Sequence, residues 1–283
     1  MIRQWIQGAR PRTLPAALVP VAVGTAAAAP DVVWWRAGVA LVVALALQVG
    51  VNYSNDYSDG VRGTDANRVG PARLVGSGAA APASVRRAAF LAFAVAAAAG
   101  LALAIAVALW LVAVGLACII AAWYYTGGRR PYGYIGFGEV FVFVFFGLVA
   151  TAGTAFVQTE ELTALAVAAA VPVGLMASAL LVANNLRDIP QDRESGKLTL
   201  AVRLGDRGTA WLYTALVAAA FAIGGVLAIA RPWAPLTLAA LSFAIPAVVL
   251  ALSSGPKVSL LNMTARLHLV FGALLAVGLA VSA

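Results

Sequence analysis

The sequence predicts an all-α, polytopic membrane protein of nine transmembrane helices. Three observations carry that expectation. Of the 283 residues 63% are hydrophobic and only 11% are charged, where a water-soluble domain carries about 25% charged residues. Apolar runs of roughly 18 residues or more recur along the chain, the length at which a helix crosses a bilayer. When those runs are threaded back and forth, seventeen of the nineteen Lys and Arg residues fall on one side, leaving only Arg36 and Arg231 opposite. The positive-inside rule makes the crowded side cytoplasmic.

Taken in order, Met1 to Thr13 is polar and basic with Trp5 and Ile6, and is expected to lie along the membrane surface. The nine spans follow at 14–29, 35–55, 84–106, 109–126, 136–157, 163–187, 208–230, 234–253 and 263–282. The first is short, and Pro15 and Pro20 are placed to kink it. The gap between the third and fourth leaves room only for a tight hairpin. Trp34, Trp35, Trp110 and Trp233 fall where an outer aromatic belt belongs, and Trp123, Tyr124, Tyr125 and Trp211 at the inner one. This threading puts a multi-pass chain in the inner (plasma) membrane, its N-terminus cytoplasmic and its C-terminus outside. The first run follows Arg3, Arg10 and Arg12 and ends AAAAP, the outline of a signal peptide. The same composition recurs throughout the chain, so cleavage is not expected. The single Cys118 lies mid-helix, has no partner for an internal disulfide, and reads as packing.

The net charge of +8 is then mostly topology and contact with anionic lipid. A nucleic-acid partner is not expected, because the basic residues are scattered over short loops rather than gathered in a domain.

The chemistry gathers in two stretches. Asn52 to Asp65 reads NYSNDYSDGVRGTD and holds three of the eleven acidic residues, Asp56, Asp59 and Asp65. Asn52, Asp56 and Asp59 are spaced i, i+4, i+7, so if the preceding helix continues they share one face. Like charges stacked that way repel, and something cationic is expected between them. The second stretch, NNLRDIPQDRESGK, carries Asn184, Asp188 and Asp192 at the foot of another apolar run. Asn52 to Asn184 and Asp56 to Asp188 are both 132 residues, which suggests an internal duplication. The chain is read as one domain, 1–283, with helices 1–4 repeated as 5–8 and a ninth added.

Four helices separate the two stretches, so both emerge on the same face and can converge on one cavity. Paired carboxylates on facing helices suit Mg²⁺, which takes hard oxygen ligands and bridges a few carboxylates to substrate phosphates. Arg62 and Arg68 follow the first motif, Arg187, Arg193, Lys197 and Arg203 surround the second, and Arg129 and Arg130 join from the loop between. That mixture suits a diphosphate held through metal on one side and by Arg or Lys on the other. The plainer reading is of solvated loop charges paired for topology. Against it, an Asp at a span's centre costs about 2.5–3.5 kcal/mol, and a loop needing only solubility would not set two matching groups in the last turn of a span. Asn52 and Asn184, one turn deeper, either orient the carboxylates, ligate metal, or are plain helix polar residues.

With these motifs placed, the chain resembles the UbiA-type superfamily of intramembrane prenyltransferases, and within it the branch that prenylates 1,4-dihydroxy-2-naphthoate in menaquinone synthesis. The resemblance covers nearly the whole length and rests on ARPRTLPAALVPVAVGTA, NDYSDGVRGTD with the trailing RVGPARLVGSG, YTGGRRPYGYIGFGEVFVFVFFG and NNLRDIPQDRESGKLTLAVRLG. It departs from many relatives in the DxxD spacing of Asp56 and Asp59, which leaves open whether Asp59 or Asp65 completes the first metal site. The resemblance implies nine helices around a central cavity that opens to the cytoplasmic side and sideways to lipid. It also implies Mg²⁺-dependent transfer of a polyprenyl chain from polyprenyl diphosphate to 1,4-dihydroxy-2-naphthoate, with loss of CO₂ and diphosphate. By position, Asp56, Asp59, Asp188 and Asp192 would hold Mg²⁺, helped by Asn52 and Asn184. Lys197, Arg203, Arg129, Arg130 and Arg62 would receive the diphosphate.

An allylic carbocation left by departing diphosphate needs dry, electron-rich walls, for which Tyr124, Tyr125, Tyr132 and Phe141 are candidates and ordinary packing is the alternative. Arg10 and Arg12 match the N-terminal family pattern and meet either a substrate carboxylate or lipid phosphate; with Tyr124 and Tyr132 they form the acceptor-binding expectation. His268 is a base or a packed histidine. Glu139 faces the cavity or favours a helix N-terminus. Two rivals remain: a relative with another acceptor such as 4-hydroxybenzoate, and a transporter, whose carboxylates would sit at mid-membrane rather than at one face.

Overall fold

A computed structural model describes residues 2–64 and 73–283, so Asp65 and Arg68 lie outside the described residues. Among the described residues all regular structure is helical. A short surface helix, α1 (Ile2–Gly8), leads into α2 (Pro15–Ala27), α3 (Trp34–Arg62), α4 (Pro82–Ala106) and α5 (Leu111–Tyr124). Then come α6 (Gly138–Thr159), α7 (Ala164–Glu194), α8 (Leu200–Val226), α9 (Ala234–Leu252), whose first turns are 3₁₀, and α10 (Leu260–Val281). Seven of these are long and apolar enough to cross a membrane. The other two predicted spans appear as α2 and α5, of 13 and 14 residues. At 1.5 Å per residue each is about 20 Å long, short of a ~30 Å hydrocarbon layer.

The helices differ from the predicted spans most where the chemistry lies. Hydropathy ends the second span near residue 55 and the sixth near 187, leaving the acidic stretches as loops. Instead α3 runs to Arg62 and α7 to Glu194. Both motifs continue as helix with Asp56, Asp59 and Asp188 buried and partnered inside the protein rather than left to solvent. Gly63 stops α3 with φ 74°, its N–H donating to the Gly60 carbonyl, a left-handed cap that glycine adopts without a Cβ penalty. Thr163 starts α7 by accepting the Ala166 N–H at 3.1 Å.

Helix α6 contains a π-helical stretch, Phe143–Ala152, a geometry concentrated at functional sites. It crosses α7 at a glycine pair. A Cβ on Gly147 would lie 2.4 Å from the Gly174 Cα, and one on Gly174 would lie 2.8 Å from the Phe143 ring. Gly147→Ala therefore has to push backbone against backbone. We expect it to destabilise the protein by about 1–3 kcal/mol, read as a lower melting temperature in detergent; an unchanged melting temperature would show that α6 and α7 part freely there.

Helix α7 forms the centre of the bundle, packing on α2, α6, α8 and α10. Val23, Met176, Leu186, Tyr213, Phe271 and Leu275 belong to the core it organises. Only Ala121 of α5 is buried, and Leu116 and Ile120 point outward, as a lipid-facing helix should. The two cations left opposite the basic side both serve the backbone. Arg36 donates to the Val157 carbonyl at 3.0 Å and pairs with Glu160 at 3.0 Å; Arg231 donates to the Ser282 carbonyl at 2.9 Å. Their exception to the charge rule has a structural use.

Candidate active site

The polar faces of α3 and α7 meet at a cavity of about 650 Å³. From α3 come Gln48, Asn52, Asn55 and Asp59; from α7 come Asn184, Asn185, Asp188 and Asp192. Arg73, Tyr134 and Lys197 enter from connecting segments, and Arg10 and Arg12 from the stretch between α1 and α2. The same lining includes an apolar and aromatic wall, with Ala44, Ala122, Phe141, Phe145 and Phe146.

The cation expected between the first carboxylates is found on Asp59 alone, because Asp56 pairs with backbone amides instead. Asp59 is 3% exposed. Its Oδ2 lies 3.3 Å from Lys197 Nζ and 3.8 Å from Arg73 Nη2, while its Oδ1 accepts the Tyr134 hydroxyl. Lys197, itself buried, sits 4.7 Å above the Tyr134 ring, with Arg62 at 5.3 Å from the same ring. Burial first, then the Asp59 charge and the hydrogen bond to it, push the Tyr134 hydroxyl above the ordinary phenol range, so it stays a donor to the carboxylate. On α7, Arg187 grips Asp188 through Nε at 2.6 Å and Nη2 at 2.7 Å, and reaches Asn184 Oδ1 at 2.9 Å.

The register of the first motif differs from the one expected. Asp56 lies about 60° around α3 from Asp59 and is not among the cavity-lining residues. Its carboxylate accepts the N–H groups of Leu74 at 2.8 Å and Val75 at 2.9 Å. The Asn-x-x-x-Asp pair that faces the cavity is Asn55 with Asp59, which stands 129 residues before Asn184 and Asp188 rather than 132. Asn52 does line the cavity, but its amide donates to the Ala9 carbonyl at 2.9 Å and the Thr13 hydroxyl at 3.2 Å. It ties the N-terminal stretch to α3.

Several expected contributors lie elsewhere. Arg62 donates to the Thr126 and Gly128 carbonyls, and Arg203 to those of Leu198 at 3.1 Å and Ile135 at 3.2 Å; both brace loops. Arg129 and Arg130 are exposed and away from the cavity. Tyr124 is half exposed and faces out, while its neighbour Tyr125 lines the wall. Tyr132 is in place, its ring stacked on Phe141 with centroids 3.8 Å apart. Glu139 does not itself line the cavity but accepts the Asn185 amide at 3.0 Å. His268 is fully buried in α10 and off the cavity. Sequence reasoning misses Asn55, Arg73 and Tyr134. Asn55 carries a usable signal, since it spells the same Asn-x-x-x-Asp spacing with Asp59; Arg73 has no spacing signal.

Among the described residues no three acidic, His or Cys side chains form a ready metal cage. The donor set nonetheless fits Mg²⁺ in kind: Asp59, Asp188 and Asp192 with the Asn55 and Asn184 amides supply hard oxygens around one space, and Mg²⁺ commonly takes one or two carboxylates plus substrate phosphates.

Buried carboxylates and cations beside an apolar wall, in a bundle with seven membrane-length helices among the described residues, suit an anionic amphiphile. The chain belongs to the UbiA prenyltransferase family, whose profile matches residues 17–259. It is 55% identical over 246 residues to 1,4-dihydroxy-2-naphthoate octaprenyltransferase of Mycobacterium tuberculosis, covering 86% of this chain and 84% of that one. It is 38% identical over 216 residues to the enzyme of the same name from Escherichia coli, covering 71% and 68%. The fold matches the apo structure of a UbiA homolog from Aeropyrum pernix K1 with TM-score 0.75 and 18% identity, over 93% of this chain and 97% of that one. It also matches a UbiA homolog from Archaeoglobus fulgidus bound to GPP and Mg²⁺, with TM-score 0.72 and 15% identity, over 96% and 99%. This is a multi-pass membrane protein of that family.

Proposed function

We propose that this protein transfers a polyprenyl group from polyprenyl diphosphate to 1,4-dihydroxy-2-naphthoate, releasing CO₂ and diphosphate and giving demethylmenaquinol. The observation that carries the reading is the meeting of Asp59, Asp188, Arg73 and Lys197 in one cavity with an apolar and aromatic wall that includes Ala44, Phe141, Phe145 and Phe146. A diphosphate head and an isoprenoid tail need both. The kinship with naphthoate prenyltransferases supports the acceptor.

Asp59, Asp188 and Asp192, with Asn55 and Asn184, would hold Mg²⁺, which neutralises charge developing on the leaving diphosphate. Lys197 and Arg73 bind phosphoryl oxygens directly. The allylic C–O bond breaks with its electron pair going to diphosphate, and the electron-rich ring carbon of the acceptor bonds to the allylic carbon. Loss of the carboxylate as CO₂ from that carbon returns an electron pair to the ring and restores aromaticity. Tyr132 and Phe141 offer ring faces to the cation and exclude water. Arg10 and Arg12 receive the acceptor's carboxylate.

The decisive test supplies carboxyl-labelled acceptor with a long-chain prenyl diphosphate and Mg²⁺. Label is expected to leave with formation of the prenylated product. Retained label would refute the decarboxylative step, and preference for 4-hydroxybenzoate would move the chain to another branch of its family.

The reading includes nine crossings of the plasma membrane by one domain, with the polar end of the cavity cytoplasmic and the two Asn-x-x-x-Asp helices equivalent in a repeat. Single cysteines at the exposed Ser77 and Ser254, in a Cys118→Ser background, are then expected to be labelled only from the cytoplasm, and one at Glu161 only from outside. Labelling of Ser77→Cys from outside would sink this topology.

A further inference from the structure

We propose that Asp56 is a positioning residue: its buried carboxylate clasps the backbone of residues 74 and 75 to α3 and so places Arg73 at the diphosphate end of the cavity. The inference rests on the prenyl-transfer reading above for what Arg73 binds, but the clasp itself is geometric. Asp56 is 0% exposed. Its two oxygens accept two successive amides, Leu74 N–H at 2.8 Å on Oδ2 and Val75 N–H at 2.9 Å on Oδ1. Hydrogen bonds to an ionised acceptor are roughly twice as strong as neutral ones.

The flanking side chains dock in the same place. Leu74 is buried against Gly8 of α1, where a Cβ would come within 2.7 Å of Leu74 Cδ1 and 3.1 Å of the Tyr53 ring. Val75 lies on Gly60, whose Cβ would meet Val75 Cγ1 at 2.4 Å. With residues 74 and 75 held on α3, Arg73 is the one that turns into the cavity, its Nη2 3.8 Å from Asp59 Oδ2. A carboxylate used for metal would be expected to face the cavity as Asp59 does; Asp56 does not.

Asp56→Asn keeps one acceptor but turns an amino group toward the other amide, so the clasp is half lost at constant volume. Hydrogen–deuterium exchange of the Leu74 and Val75 amides is expected to quicken by about tenfold or more, and KM for prenyl diphosphate to rise by about the same factor. The Mg²⁺ concentration for half-maximal rate, the acceptor KM and kcat should stay near those of the unaltered protein. In an Arg73→Ala background, Asp56→Asn should add less than about twofold to the prenyl diphosphate KM, because residues acting through one another are not additive. Inorganic pyrophosphate binding should weaken in parallel. Asp56→Glu, which keeps the charge but overreaches, is expected to fall between.

A raised Mg²⁺ requirement with a collapse in kcat, full additivity with Arg73→Ala, or unchanged amide exchange would each overturn the proposal. Should Asp56→Asn not reach the folded state, Arg73→Ala alone must raise the prenyl diphosphate KM while exchange at residues 74 and 75 stays slow; faster exchange there would overturn it too. If no aromatic acceptor is prenylated by the unaltered protein, the functional reading fails, and the exchange and pyrophosphate measurements still decide the clasp.

Discussion

Asp188→Asn is expected to lower prenyl transfer by about 10²–10³ while leaving the protein folded and inserted. The substitution conserves volume and removes one charge. Asp188 lines the cavity from α7, held by Arg187 through two bonds of 2.6 and 2.7 Å and backed by Asn184 at 3.4 Å. An Asn there still fits between the same neighbours but lacks the negative charge that would hold Mg²⁺ for the diphosphate. Asp59→Asn should act in the same direction from the facing helix. Steady-state product formation in detergent or nanodiscs, with a melting curve as the folding control, measures the effect. Turnover within about threefold of normal, against the size expected for a lost electrostatic contact, would remove Asp188 from the chemistry.

The second large effect belongs to Lys197, replaced by Met to keep the apolar stem. Lys197 is 8% exposed, 3.3 Å from Asp59 and 4.7 Å above the Tyr134 ring. Breaking a buried ion pair by removing one partner costs about 3–5 kcal/mol when the other charge is left alone. Asp59 keeps the Tyr134 hydroxyl and Arg73, so the stability loss should fall below that range. Kinetics should show more. The KM for prenyl diphosphate is expected to rise by at least about tenfold, the loss of one charge-assisted contact, with the acceptor KM little changed. Equal increases in both would take Lys197 away from the diphosphate.

Both of these residues are legible along the chain. Asp188 and Lys197 sit in a motif whose acidic and basic types, at the foot of an apolar run, point to metal and phosphate by chemistry alone. Asp59 is legible for the same reason. Asp56 is misassigned by register because two overlapping Asn-x-x-x-Asp patterns, Asn52 with Asp56 and Asn55 with Asp59, share one helix. Helical period alone cannot choose between faces about 60° apart. The choice is made by what packs on each face: the backbone of residues 74 and 75 covers one, and the cavity lies under the other. The basic residues show the same division. Lys197 and Arg73 reach the site, whereas Arg62 and Arg203 spend their donors on carbonyls of neighbouring loops.

Composition and the lengths of the apolar runs are enough to establish a multi-pass helical membrane protein, and the residue types at the feet of two runs point to an acidic, cationic site. Those properties follow from local chemistry and from the bilayer's thickness, both readable along a chain. The tertiary structure alone decides which carboxylate of the first pair meets the cavity, that α3 and α7 continue as helix through their motifs, and that Arg73 and Tyr134 join the site. These depend on which buried polar groups find partners across segments far apart in sequence, and burial without a partner is too costly for the chain to leave that to local preference.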